Sequence, residues 1–331
     1  MTASTVEPAA ARTRAPARTV PYFVPAVVLA AGLVALTAVV NPGFLAQGGW
    51  QLAAASALPL VLLAMAEAPV VMSGGGGIDL SVGPAAGLIS VLIGGIVVPR
   101  GVESVPLLVA IAVGAGALAG AVNGALVTGL RVPPIIATLG TYLVYTGLAT
   151  RLMPTPGGAV PPALADLASG SAAGTAGVLL VLVLFAVAWQ AVLRTAFARN
   201  LRASGSNDRA AYTAGVPVAW TRFTAYVIGG AITGVAGLLI AAVLGGADAT
   251  VGPSYTLVAI AGVALGGVSL SGGRGGLLGA AAGGASLFLI QNLLSFLQVS
   301  SFVLQIAYGV VLLVAIVANG AWDHRRAREA A

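Results

Sequence analysis

Apolar runs, most of them long enough to cross a bilayer, follow one another along this chain. They lie at roughly 21–40, 51–72, 84–98, 105–130, 135–153, 173–193, 222–246, 256–268, 277–297 and 302–318. A transmembrane helix needs about 20 apolar residues to cross ~30 Å of hydrocarbon. The chain therefore reads as an all-α, polytopic integral membrane protein of about ten transmembrane helices. Composition agrees: 59% of residues are hydrophobic and 7% charged, whereas soluble domains carry about 25% charged residues. No stretch is long and polar enough for a separate soluble domain. Residues 21–318 read as one membrane domain, with tails at 1–20 and 319–331. The run 21–40 is longer than the apolar part of a secretory signal and reads as an uncleaved first helix. The runs 84–98 and 256–268 are short and adjoin glycine-rich breaks, so they read as half-helices.

Charge placement sets the orientation. All 15 basic residues are Arg. With the N-terminus inside and an even number of spans, Arg12, Arg14, Arg18, Arg131, Arg194, Arg199, Arg202, Arg209, Arg222, Arg274, Arg325, Arg326 and Arg328 fall on the cytoplasmic side. Only Arg100 and Arg151 fall outside. This bias places both termini in the cytoplasm. The net charge of +6 is thus topological, and nucleic acid is not an expected partner. The absence of Lys excludes a P-loop, so the glycine-rich stretch Gly272–Gly276 cannot be one. If ATP drives this protein, another chain hydrolyses it. With no Cys and a lone His324 in the charged tail, the usual zinc sites and Cys–His chemistry are excluded. No enzyme constellation is present, and neither a metal nor a cofactor is expected.

The segment Gly74-Gly75-Gly76-Gly77-Ile78-Asp79-Leu80-Ser81-Val82-Gly83 carries five glycines and a carboxylate between two apolar runs. Irregular backbone at membrane depth is tolerated only where protein buries it or it lines a wet cavity. An acid there is a functional candidate. Asp79 and Ser81 either supply hydrogen bonds in a translocation path or satisfy free N–H groups where the next helix starts. Glu67, inside the preceding run, needs a partner or water. Gly76–Gly83 also aligns with Gly266–Gly273 at an offset of 266 − 76 = 190, with Gly76, Gly77, Leu80, Ser81 and Gly83 identical to their counterparts. Paired glycine-interrupted segments in two halves mark the binding path of some transporters.

The segment 194–221 is the most polar of the chain. Ser206 or Asn207 can cap a helix there, Asp208 suits its first turn, and Gly215 followed by Pro217 stops it. The spacing predicts a helix of about two turns on the cytoplasmic face: a receiver of force from a separate motor, or a solvated connector. The outer loop 154–172, rich in Pro, Gly, Ala and Ser, is a contact surface or a linker. Gly116, Gly120 and Gly124, and Gly275, Gly279 and Gly283, recur at four-residue spacing and predict close helix packing, within one chain or between two. Polar stripes add Gln291, Ser295 and Gln298 on one helical face, Thr138, Tyr142 and Tyr145 on another, and Asn123 on a third. These groups line a path for a polyhydroxylated solute or bond between helices.

Four stretches resemble the permease subunits of bacterial ABC importers for monosaccharides, the ribose/xylose/arabinose/galactose permease family. They are Gly76–Gly83; Asn123-Gly124 with Val132–Thr141; Gly205–Ala211 with Gly215-Val216; and Ala259–Ala261 through Gly266–Gly275. The resemblance runs in family order from about residue 21 to 318. It implies about ten helices, a second permease copy or paralogue, two ABC ATPase subunits (or a fused double ATPase) and an extracytoplasmic sugar-binding protein. It also implies that 204–216, with Gly205, Ser206, Asn207, Asp208, Arg209, Ala210, Ala211 and Gly215, docks on the ATPase. Ala198 and Ser206 depart from glycines expected around that loop. The implied activity is sugar import across the bacterial plasma membrane by alternating access, without catalysis by this chain. Two other readings are a permease of the same superfamily for nucleosides or branched-chain amino acids, and an ion-coupled secondary transporter. A non-transporting membrane scaffold would leave the glycine breaks unexplained.

Overall fold

The computed structural model describes residues 21–46, 48–300 and scattered positions between 302 and 317. Both tails lie outside the described residues, as does about half of the run 302–318. Helices account for nearly every apolar run: α1 (Val24–Val40), α2 (Gly43–Ala46), α3 (Gly49–Met72), α4 (Val82–Ser90), α5 (Val105–Thr128), α6 (Pro134–Leu152), α7 (Pro162–Ala168), α8 (Ala172–Leu193), α9 (Ala196–Ser206), α10 (Asp208–Thr213), α11 (Val218–Leu244), α12 (Gly252–Leu265) and α13 (Leu277–Phe296). Prolines mark several of the starts. Pro106, Pro134 and Pro253 stand in the first turns of α5, α6 and α12, where a missing N–H costs nothing. No β-strand occurs among the described residues; Gly157 and Ala247 form an isolated antiparallel bridge.

Among the described residues six helical segments have the length and composition of membrane spans, α3, α5, α8, α11, α13 and the segment Val82–Arg100. The last corrects the half-helix expected at 84–98. Here α4 passes directly into a π-helical stretch, Val91–Val97, and a 3-10 turn, Val98–Arg100. The helix continues because no proline intervenes between Pro84 and Pro99. In contrast, α12 has 14 residues, about 21 Å at 1.5 Å per residue. It is too short to cross ~30 Å of hydrocarbon and stops at the second glycine break.

The central helix is α3, buried along almost its whole length, while α8 is largely exposed. Around α3 pack α11, α13 and α12, and α11 in turn seats α5 and α4. Lipid offers little hydrophobic drive between helices, so close backbone approach carries the packing. A Cβ at Gly116 would strike the Gly230 carbonyl, and one at Gly120 the Tyr226 carbonyl. A Cβ at Gly283 would strike the Gly262 carbonyl. Both four-residue glycine series therefore join helices of the same chain, α5 with α11 and α13 with α12.

Candidate functional site

The first break begins where α3 ends. Gly74, Gly75 and Gly76 take φ of 75°, 63° and 72° in succession, a left-handed conformation that other L-residues visit at a cost of about 1–2 kcal/mol each. The turn sends Asp79 back into the protein, where it is 4% exposed. Its Oδ1 accepts from the Ser81 N–H at 2.8 Å and the Ser81 hydroxyl at 2.7 Å. Asn123 of α5 donates from Nδ2 to both Asp79 oxygens, at 3.2 and 3.1 Å, and to Ser81 Oγ at 2.8 Å. The Thr141 hydroxyl of α6 donates to Asn123 Oδ1 at 2.7 Å, closing the chain of bonds. Four donor contacts on a carboxylate satisfy it thoroughly, as a buried charge requires. The cluster ties the start of α4 to α5 and α6.

Glu67 is fully buried on α3. Its Oε2 accepts from the Asp79 N–H at 3.3 Å, so it holds the far side of the break. Its Oε1 has no partner, and neither does the buried hydroxyl of Tyr226 on α11. Thr138 is buried and donates to the Ile78 carbonyl at 3.3 Å and to the Pro134 carbonyl at 2.9 Å. Tyr145 is buried and donates to the Ala119 carbonyl at 3.2 Å, whereas Tyr142 is only half-buried. The stripe of Gln291, Ser295 and Gln298 is not brought to this cluster. Gln291 and Ser295 are exposed on α13, and Gln298 lies beyond the end of that helix with a φ of 58°. No bond of the Asp79 cluster reaches them.

The polar segment 194–221 folds as a helical hairpin. Asn207 is the cap of α10: its Oδ1 accepts from the Ala210 N–H at 3.0 Å. Asp208 opens the first turn, and Gly215, with φ of 81°, ends the hairpin before Pro217. Ala210 and Ala211 lie within α10, Ala211 buried and Ala210 exposed; Arg209, on the same helix, is exposed too. Preceding it is α9, an 11-residue helix not anticipated from the sequence. Its penultimate residue, Gly205, enters a junction of bare backbone. A Cβ there would strike the Met72 carbonyl and the Gly273 N–H. Gly273 N donates to the Met72 carbonyl at 3.0 Å, and a Cβ at Gly272 would lie 2.6 Å from Gly74 Cα. The hairpin thus touches both glycine breaks at one point, and the two aligned segments meet each other there.

Arg222 supplies a second link. Its Nη2 donates to both oxygens of Asp208 at 2.6 Å, and its Nε to the Ser73 carbonyl at 3.3 Å. A Cβ at Gly75 would lie 2.6 Å from its Cζ. Sequence reasoning counted Arg222 only as a topological charge, and passed over Thr141 and Tyr226 as functional residues. A cation at the start of an apolar run was the available signal for Arg222.

A broken helix held by a buried carboxylate, a polar helical hairpin tied to it, and a bundle built on glycine contacts define a polytopic transport permease. Comparison with known proteins makes this specific. The chain belongs to the family described as branched-chain amino acid transport system / permease component, whose pattern matches residues 51–318. It is 35% identical over 285 residues to the autoinducer 2 import system permease protein LsrC of Enterobacter sp. (strain 638), covering 85% of this chain and 81% of that protein. It is likewise 35% identical over 246 residues to the ribose import permease protein RbsC of Bacillus subtilis (strain 168), covering 73% of this chain and 76% of that one. No solved structure matches the chain.

Proposed function

We propose that this chain is the membrane-spanning subunit of an ATP-driven ABC importer that carries a monosaccharide into the cytoplasm by alternating access. Its partners are an ABC ATPase, a second permease copy or paralogue and an extracytoplasmic binding protein, and its N- and C-termini face the cytosol. The chain itself performs no catalysis. The observation that carries this reading is the α9–α10 hairpin, joined to the first break through Arg222 and to both breaks through Gly205. A hairpin pushed from the cytosol would act directly on the end of α3 and on the second break, between α12 and α13. Similarity to a ribose import permease over most of both chains supports a sugar as the solute. Asp79 serves in this reading as a tie that positions α4, since its oxygens are occupied by the chain's own donors.

The test is reconstitution with the partner ATPase and binding protein. Replacing 205–215 by a flexible Gly/Ser linker should abolish uptake of labelled sugar while ATP hydrolysis continues. Unchanged uptake would overturn the coupling assignment. Accumulation by the chain alone, driven by a Na⁺ or H⁺ gradient, would favour a secondary transporter instead. Parallel assays with pentoses, hexoses, nucleosides and leucine identify the solute class.

A further inference from the structure

A cavity of about 640 Å³ opens beside the first break, walled by that break, by the α5–α6 connection and by the segment from α10 into α11. It lies on the face that the arginine bias assigns to the cytosol. Its charged walls are Arg131 and Arg222; no Asp or Glu lines it. Arg222 is partly balanced by Asp208, whereas Arg131 is exposed and makes no ion pair among the described residues. Tyr226 also lines the cavity; it is 1% exposed, and its hydroxyl has no partner. Buried polar groups in folded proteins are almost always bonded, and an orphan points to an unseen ligand or water. Gly75 forms part of the wall, and its N–H donates to no other described residue. The remaining rim is aromatic and apolar, with Trp220 and Tyr212.

Two guanidinium groups, a phenol and a backbone N–H are all donors; no carboxylate lines the cavity, Asp208 being taken up by Arg222 and buried Glu67 and Asp79 acting on Tyr226 from outside the lining. Planar guanidinium forks match phosphate oxygens in particular. The aromatic rim suits the organic part of the same molecule. We propose that this cavity binds a phosphate ester, held by Arg131 and Arg222 with the Tyr226 hydroxyl as a further donor. The ester is either a soluble sugar phosphate or an anionic lipid headgroup. Occupancy would compete with Asp208 for Arg222, so the site would loosen the link between α10 and the break. The binding itself does not depend on the solute assigned above.

The test uses the full chain in nanodiscs of zwitterionic phosphatidylcholine. Ribose 5-phosphate is titrated against ribose while tryptophan fluorescence is followed, with Trp220→Phe identifying the signal at the cavity. A second arm measures by native mass spectrometry how much phosphatidylglycerol is retained from mixed nanodiscs. The expected result is saturable binding of one of these probes, with no response to ribose. Arg131→Asn keeps a residue that tolerates the φ of 56° found here and should weaken binding about tenfold or more, as expected for a lost charge-assisted contact. Tyr226→Phe should weaken it by a smaller factor, and unchanged circular dichroism confirms that both variants fold. A sugar-phosphate response identifies a soluble ligand, and Arg131-dependent lipid retention identifies a headgroup. Binding of neither probe, or binding indifferent to Arg131→Asn, would overturn the proposal.

Discussion

Arg222, in the first turns of α11, grips both carboxylate oxygens of Asp208 at 2.6 Å while its Nε reaches the Ser73 carbonyl at 3.3 Å. One side chain therefore bridges the hairpin helix and the end of α3. The pair is partly solvated, with side-chain exposures of 19% and 45%, so it contributes only about 0–1 kcal/mol to stability. Its value lies in fixing where α10 stands relative to the break.

Arg222→Gln is expected to leave the fold intact and to lower sugar uptake per ATP hydrolysed, by a factor in the range of about 5–150 typical of coupling between sites. Arg222→Lys should fall between, because an ammonium cannot hold two carboxylate oxygens and a carbonyl in one plane. Paired measurements of uptake and hydrolysis check this; an unchanged ratio with the hairpin still essential would remove Arg222 from the coupling route and leave the hairpin in it.

Asp79→Ala should act mainly on stability. It strands the Ser81 hydroxyl and N–H and one Asn123 amide in a buried site, and each unmet group costs about 1–3 kcal/mol. Asp79→Asn retains an acceptor and should be milder. Thermal unfolding in detergent reads the order wild type, Asp79→Asn, Asp79→Ala; full stability in the last variant would contradict the structural role.

Two glycines of the hairpin should respond differently to alanine. At Gly205 the new Cβ meets only backbone, from Met72 and Gly273, so the junction must open and uptake should be lost. At Gly215 the surrounding space is empty and only the φ of 81° is strained, a cost of about 1–2 kcal/mol. Gly215→Ala should therefore still fold and transport.

Gly116→Ala should lower the yield of folded protein, because its methyl group meets Gly230 and Gly234 backbone across the α5–α11 contact. Gly114, with nothing within 4 Å, provides the matched control. Size-exclusion profiles of the two alanine variants make the comparison.

Most of the spans, the first break and the cap, first turn and stop of α10 were legible in the sequence because each depends on local chemistry. Apolar length marks a span, a glycine run marks a turn, and Asn207, Asp208 and Gly215 mark helix ends. What escaped was set by partners distant in sequence. Asp79 meets Asn123 44 residues away, and Arg222 meets Ser73 across 149; no periodicity records such pairs. The π-helical continuation of α4 was missed for a related reason. The run read as a half-helix because it is short and adjoins the first glycine break, yet its continuation packs on residues far away in sequence: a Cβ at Gly94 would be 2.8 Å from the Gly246 carbonyl.

The knot of bonds around Asp79 fastens the start of α4 to α5 and α6, and Gly116 and Gly120 lock α5 against α11. Those four helices are thereby yoked into a single block. The chain passes from α3 into that block through Gly74 to Gly77, a joint without side chains that Glu67 and Arg222 clasp from either flank.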